Sequence, residues 1–350
     1  MFFALTDDQR DFGAAVRDFL AGKFDLEAVR AVVEDPDGDG HPAALWQAMG
    51  EQGWLAALVP EEYDGLGLGM VDAQVIAREL GAGVAPGPWR GTVLAAEAIR
   101  LAGSKSQQQQ WLPKLAAGEV VGALALRGSD SGADGWPAVE YAESADLIVA
   151  TDSFGLRLLR SVEVHTRRLD SFDGTTRLAT VTLADGVGEP LPGGTGRVRD
   201  ELAARTAVLI AADLVGGARE ALTRTVAYDR ERKQFGVPVG SFQAIKHTLA
   251  DLHVGVTMAE HAVLYAAHVL DSGGSDPGLD EAAALAVAVA KAKASDTAAL
   301  VTAAMIQYHG GIGYTWEHEA HFFYKRAKRL AGTGGTADDQ RERIAELTIG

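Results

Sequence analysis

The chain has 350 residues, 47% of them hydrophobic, a formal net charge of −16 and no cysteine. That length exceeds what one core usually serves, so two or three sub-domains are expected. The acidic balance disfavours nucleic acid and anionic membrane as general partners, and the missing cysteines exclude disulfides and thiolate chemistry while suiting a reducing cytoplasm. No apolar run approaches the ~20 residues of a membrane-spanning helix, and MFFALTDDQR lacks the basic leader of a signal peptide.

In chain order, Thr6-Asp7-Asp8-Gln9 predicts a capping box that opens a helix burying Phe12, Val16, Phe19 and Leu20. Asp35 to Gly40 is a polar turn, because the terminal glutamate of a calcium loop is missing. Ala43 to Trp54 predicts a further helix. In VPEEYDGLGLG, residues 59–69, the glycines are spaced G-x-G-x-G after a helix. A Rossmann fingerprint needs G-x-G-x-x-G after a strand, so that kind of dinucleotide site is rejected. Helices are expected over Val71 to Leu80, Trp89 to Leu101 and within Ser104 to Gly118, where the run of glutamines forms a helix face.

From Glu119 to about Gly196 the texture changes to short apolar-polar runs at 120–126, 147–151, 156–164 and 178–183, separated by glycine, aspartate and proline. This pattern predicts a small antiparallel β domain. Helical spacing returns from Asp200. Asp271 to Asp280 is a glycine-rich loop, Glu281 to Tyr308 an alanine-rich helix, and Ile344 and Leu347 mark a final amphipathic helix.

The most informative stretch is Tyr228 to Leu252, YDRERKQFGVPVGSFQAIKHTLADL. A basic run leads into Gln234-Phe235-Gly236, and Val237-Pro238-Val239-Gly240 breaks the helix. Ser241 is expected to cap the next helix, whose apolar positions Phe242, Ile245, Leu249, Leu252, Val256, Ala259, Val263, Ala266 and Leu270 make a bundle seam. Arg232 and Phe235 then sit at the junction of two long antiparallel helices. A guanidinium there suits a diphosphate, although charge alone favours a solvated run at a helix end.

Arg232, Phe235, Gly236, Pro238, Phe242, Gln243 and His247 resemble the flavin-binding signature R-x-x-F-G-x-P-x-x-x-F-Q-x-x-x-H of the acyl-CoA dehydrogenase family. Gln307 to Glu317, QYHGGIGYTWE, resembles a second block of that family, and residues 59–69 and 104–118 resemble parts of its N-terminal half. The resemblance implies an α+β, mostly α fold. It has an N-terminal helical domain over 1–118, a shortened middle antiparallel β domain over 119–196, and a C-terminal four-helix bundle over 197–350 with the flavin and subunit contacts. It also implies FAD, an acyl-CoA substrate and an acceptor of the electron-transfer flavoprotein type.

The family's chemistry needs a carboxylate to take the α-proton and hydrogen bonds to the thioester carbonyl. The resemblance seeks that base in E-G-[TS] after the second block, where this chain has Leu330-Ala331-Gly332-Thr333, or early in the preceding long helix, where it has Ala204-Arg205-Thr206-Ala207. Ala331 thus stands at the usual glutamate position, and no catalytic residue is assigned. The T-E-P-x-x-G-S-D element is reduced to Leu126-Arg127-Gly128-Ser129-Asp130. The K-x-W-I-T strand is expected to be deleted between Trp136 and Asp146. In the family each flavin lies between two subunits. The share given to the neighbour is intact here as Arg232, Phe235, Gln243, Gln307, Gly310 and Gly311, while the chain's own share is eroded.

This asymmetry resembles the base-less subunit of heteromeric actinobacterial acyl-CoA dehydrogenases, notably those acting on steroid side-chain thioesters. A catalytic dehydrogenase subunit is therefore the expected partner, in an α2β2 assembly. A self-sufficient homomer with a relocated base, for which Asp338, Asp339 and Glu342 are candidates, and a non-redox thioester-binding scaffold remain alternatives. No metal site is predicted: His318-Glu319-Ala320-His321 is one residue short of H-E-x-x-H. His309 reads as a packing partner, His247, His253, His261 and His268 as ordinary helix histidines, and Glu317 as structural.

Overall fold

Local capping sets the first elements. The Thr6 hydroxyl accepts the Gln9 N–H and the Gln9 side chain accepts the Thr6 N–H, opening α1 (Asp7–Lys23) as expected. The computed structural model describes residues 4–126, 135–152, 155–184, 188–273 and 278–349. Val16 and Leu20 of α1 are buried, while Phe12 and Phe19 pack partly buried at its edge. Asp25 caps α2 (Leu26–Val33). The helix α3 (Ala43–Glu51) stops short of Trp54, where Gly53 turns the chain at φ +73°. The glycine loop then folds back, with Leu66 N–H donating to Ala56 and Gly67 N–H to Val59. The helix α4 (Met70–Ala82) is capped from far along the chain: the Asp271 carboxylate accepts the N–H groups of Met70 and Val71 at 2.6 and 2.9 Å. Next come α5 (Trp89–Ala102) and α6 (Lys105–Ala116), the latter opened by a capping box of Ser104 and Gln107. Gln107 is buried and donates to Glu189, so one of the run's glutamines ties α6 to the β domain.

The middle region forms two small sheets. One has the order β1 (Gly122–Ala125), β3 (Leu147–Asp152), β4 (Gly155–Arg160), β7 (Glu189–Pro190). The other has the order β2 (Trp136–Glu140), β6 (Leu178–Leu183), β5 (Val164–Leu169). Alternation places Ile148 and Ala150 against the second sheet, around Val139, Ala179 and Val181. Leu147 and Val149 point the other way, onto Ile99 and Leu112 of α5 and α6.

Three expectations change here. The β1–β3 pair is parallel, so the domain is not purely antiparallel. The run 156–164 breaks at Ser161, and its two parts enter different sheets. A strand, β2, occupies 136–140 where a deletion was expected. Pairing with β6 and the 2.7 Å bond from Trp136 Nε1 to the Thr151 carbonyl hold it despite Pro137 and Ala138. The reduced element at Arg127 to Asp130 lies outside the described residues.

The C-terminal region comprises α7 (Gly196–Glu231), a short hairpin of β8 (Lys233–Gln234) and β9 (Val237–Pro238), then α8 (Gln243–Asp271), α9 (Glu281–His309), α10 (Ala320–Gly332) and α11 (Ala337–Ile349). Ser241 is not the cap of α8. Its hydroxyl donates to the Pro238 carbonyl within a tight turn, and Phe242 takes the N-cap position without a side-chain bond. Val256, Ala259, Val263 and Ala266 form the seam; Phe242 is exposed, and Leu249 and Leu252 are only partly buried. Alanines 290, 294 and 298 let α9 pack closely inside the bundle.

One core runs from α1 and α4 across α7 into α8, α9 and α10. Where α4 meets α7 the backbones touch. A Cβ added to Gly81 would lie 2.1 Å from the Asp213 carbonyl oxygen, and one added to Gly216 would lie 1.8 Å from that of Arg78. No helix among the described residues is long and apolar enough to cross a membrane.

A buried ionic hub joins the three regions. Arg90 of α5 and Arg329 of α10 each reach Glu140 of β2 at 2.6 Å. Arg329 also holds Asp173 at 2.7 Å, and Arg326 holds Asp213 of α7 at 2.6 Å. Burial alone would raise the Glu140 pKa, but Arg90 and Arg329 outweigh it and hold the group at about 2. Asp213→Ala would leave the buried Arg326 guanidinium without its carboxylate, so urea unfolding should show a loss of about 3–5 kcal/mol. Asp296→Ala, which breaks the exposed pair with Arg341, should cost under about 1 kcal/mol. Equal losses would show that the hub does not hold the fold.

Candidate functional site

The residues singled out on the sequence gather at one end of α7, α8 and α9. Arg232 is the exposed C-cap of α7, and the hairpin closes through Lys233–Pro238 and Gln234–Val237 pairing. Phe235 at its turn has φ +53° and is 92% exposed. A phenylalanine in the left-handed region costs on the order of 1–3 kcal/mol. Its edge meets the Phe242 ring at 6.3 Å and 83°. Gln243 opens α8 and Gln307 lies in the last turn of α9, both exposed. Gly310 turns the chain out of α9 at φ +66°. A Cβ added to Gly236, Gly310 or Gly311 would meet no atom of this chain within 4 Å. The two loops meet at their roots, where Tyr228 stacks on His309 at 4.4 Å. Around them Tyr314 is 88% and Trp316 50% exposed.

The two stretches that lack a base converge elsewhere. Thr206 of α7 and Thr333 and Gly334, which follow α10, line one cavity with Gly91, Leu124 and Ala138. Its volume is about 170 Å³, below the ~300–1,000 Å³ of ordinary ligand pockets. Ala331 lies in the last turn of α10, and its carbonyl accepts a hydrogen bond from Lys291. Among the described residues, Glu140 is the carboxylate in the cavity wall. Held at about 2, it is a poor acceptor for a proton at neutral pH. β2 therefore brings Ala138 and Glu140 to the cavity, where the resemblance looked for an aromatic and a hydroxyl. Beyond Arg90 lies a void of about 30 Å³ lined by the hub.

The candidates for a relocated base lie outside this wall. Asp338 pairs with Arg341 at 2.6 Å, Asp339 accepts the Thr336 N–H as a cap, and Glu342 is exposed. His318 precedes α10, and its Nδ1 accepts the Ala320 N–H. No group of three His, Asp or Glu side chains placed to hold a metal occurs among the described residues.

Sequence reasoning missed Lys291, which sits in the alanine run of α9 and is fully buried. Its ammonium donates to Ser295 Oγ and to the carbonyls of Ala331 and Gly335 at 3.1, 3.2 and 2.9 Å. It thereby pins the loop that forms the cavity wall. The one signal was a lysine among small apolar residues at core spacing.

Family models describe residues 6–119 as the acyl-CoA dehydrogenase N-terminal domain and residues 194–348 as the acyl-CoA dehydrogenase C-terminal domain. Acyl-CoA dehydrogenase IpdE2 of Mycobacterium tuberculosis is 36% identical over 321 residues, 91% of this chain and 90% of that protein. The chain belongs to the acyl-CoA dehydrogenase family. Among solved structures, a variant of the Tcur3481-Tcur3483 steroid ACAD matches at TM-score 0.86 and 25% identity, over 98% of both chains. The ChsE4-ChsE5 complex from Mycobacterium tuberculosis matches in fold at TM-score 0.89 and 24% identity, over 100% of this chain and 99% of that one.

Burial lowers the Lys291 pKa from 10.5 to about 8, with Asp339 opposing. Between those values the unfolded chain binds the proton and the folded one does not, so folding gains stability as pH rises across that window. The gain should approach about 3 kcal/mol, at 1.36 kcal/mol per pH unit. Chemical unfolding at pH 7.5 to 10.5 of the native chain and of Lys291→Met checks this: the difference between them should change across the window, and parallel curves would refute it.

Proposed function

We propose that this chain is the base-less subunit of a heteromeric, FAD-dependent acyl-CoA dehydrogenase, completing a flavin site on a catalytic partner and holding none of its own. The observation that carries the reading is the contrast between the two ends of the chain. The cavity bounded by both base-less stretches holds about 170 Å³, and the carboxylate that lines it among the described residues, Glu140, is locked in two ion pairs. The tip is open: Arg232, Phe235, Gln243, Gln307, Gly310 and Gly311 are exposed, and Phe235 holds a positive φ at the hairpin turn.

The residues at the tip fit half of a flavin site. Arg232 offers two parallel donors to a diphosphate, Phe235 an aromatic face, the two glutamines amide groups, and Gly310 and Gly311 backbone open to close approach. A flavin, when bound, supplies the hydride acceptor of the family's reaction. The α-proton acceptor then belongs to the partner chain, because this chain presents Thr206, Gly334 and a permanently ionised Glu140 around its own cavity. Heteromeric relatives such as ChsE4-ChsE5, and the steroid named for Tcur3481-Tcur3483, support a partner dehydrogenase and a bulky acyl-CoA thioester. An electron-transfer flavoprotein is the fitting acceptor.

Purification alone and with a co-expressed partner dehydrogenase tests the reading. Flavin and dye-reducing activity should appear only in the assembled complex; a yellow, active pure chain would sink it. Within the complex, Arg232→Ala removes a charge-assisted contact of roughly 1.5–3 kcal/mol. FAD should then bind about 10- to 100-fold more weakly, and unchanged occupancy would contradict the assignment. Neither Ala331→Glu nor Gly334→Glu should confer turnover on the isolated chain, since the cavity stays too small for flavin and thioester together.

A further inference from the structure

The tip loop 310–316 is tied down at its far end by a helix from the other end of the chain. Arg30 of α2 donates through Nη1 to the Trp316 carbonyl at 2.7 Å and through Nη2 to the Glu317 carbonyl at 2.8 Å. A planar guanidinium forks onto two neighbouring acceptors in this way, whereas an ammonium is a single point charge. The same group lies over the ring of buried Phe322, 5.1 Å from its centroid. Glu34, the C-cap of α2, accepts the Trp316 indole N–H at 3.1 Å and stands 3.8 Å from Arg30 Nη1. Two side chains one helical turn apart therefore hold both the backbone and the ring of Trp316.

The remaining grip comes from α10. The His321 ring stacks on Trp316 at 4.4 Å and 25°, and the Lys325 ammonium lies 4.9 Å from the indole centroid. Trp316 nevertheless stays half exposed, so these contacts bury little apolar surface. Exposed ion pairs add little to stability as well. What the contacts fix is a position. Gly310 and Gly311, with open space above them, and the exposed Tyr314 lie between the root of the loop at α9 and this anchor.

We propose that Arg30 and Glu34 are positioning residues for the half-site at the tip. By fixing Trp316 they set where Gly310, Gly311 and Tyr314 stand, so the half-site is assembled from both ends of the chain. Neither residue belongs to the stretches that spell the family signature. The clamp stands on its own contacts, whereas the arrival of FAD at the loop it places rests on the function proposed above.

The clamp is read on the isolated full-length chain, labelled with fluorotryptophan. Trp316→Phe identifies one of the six fluorine resonances as that of Trp316. Arg30→Ala and Glu34→Ala should each move or broaden this resonance and leave the other five in place; a resonance unmoved in either variant overturns the inference. FAD binding by the assembled complex then separates position from charge. Arg30→Ala should weaken it about 3- to 30-fold. Arg30→Lys keeps the charge and loses the fork, so it should not restore affinity, and full restoration would overturn the positioning role. Glu34→Ala removes a negative charge, which by charge alone would tighten the binding of an anionic diphosphate. It should weaken binding instead, and unchanged or tighter binding would overturn the role. A native complex that holds no FAD would sink the function proposed above, and the fluorine spectra would then decide the clamp alone.

Discussion

Three guanidinium groups and three carboxylates, buried together where α5, β2, α7 and α10 meet, set the terms for the rest of the molecule. Charges out of water persist only when matched in number and geometry, and here they cancel. Arg90 and Arg329 approach Glu140 from opposite elements, so the β domain is fastened to both helical regions through one side chain. The same fastening removes the basicity of Glu140, the carboxylate that lines the cavity among the described residues.

The residues that spell the family signature lie at the surface. The tip packs little against its own chain: an aromatic side chain lies almost wholly in solvent, glycines have open space above them, and amides stand at helix ends. Strain of that kind persists only when the surroundings over-determine it. The hairpin pairing and the Phe242 edge contact do so from one side, and the stack of Tyr228, His309 and His318 supports the loops from beneath.

The legible parts of the fold were those with local causes. Thr6 with Gln9 and Ser104 with Gln107 declare their helices within four residues, and the long helices declare themselves by period. The tip residues were legible for a different reason: their spacing spells a pattern with few competing explanations. The rest depended on distant partners. Glu140 looks like any surface acid until Arg90 and Arg329 arrive from 50 and 189 residues away. β2 looked absent because the K-x-W-I-T pattern is missing between Trp136 and Asp146, and pairing with β6 makes a strand of these residues without it. Lys291 was hidden in a run whose small neighbours read as core, and Ser241 misled by standing one place too early for a cap.

The glycine crossing of α4 and α7 has a consequence for how the subunit moves. With backbone against backbone at Gly81 and Gly216, there is no side-chain layer to slip, so the N-terminal helices and the bundle behave as a single rigid block. Any adjustment to a neighbouring chain must be made at the margins, in the hairpin or in the 310–316 loop. Cleavage within the β region would for the same reason nick the molecule without parting its halves.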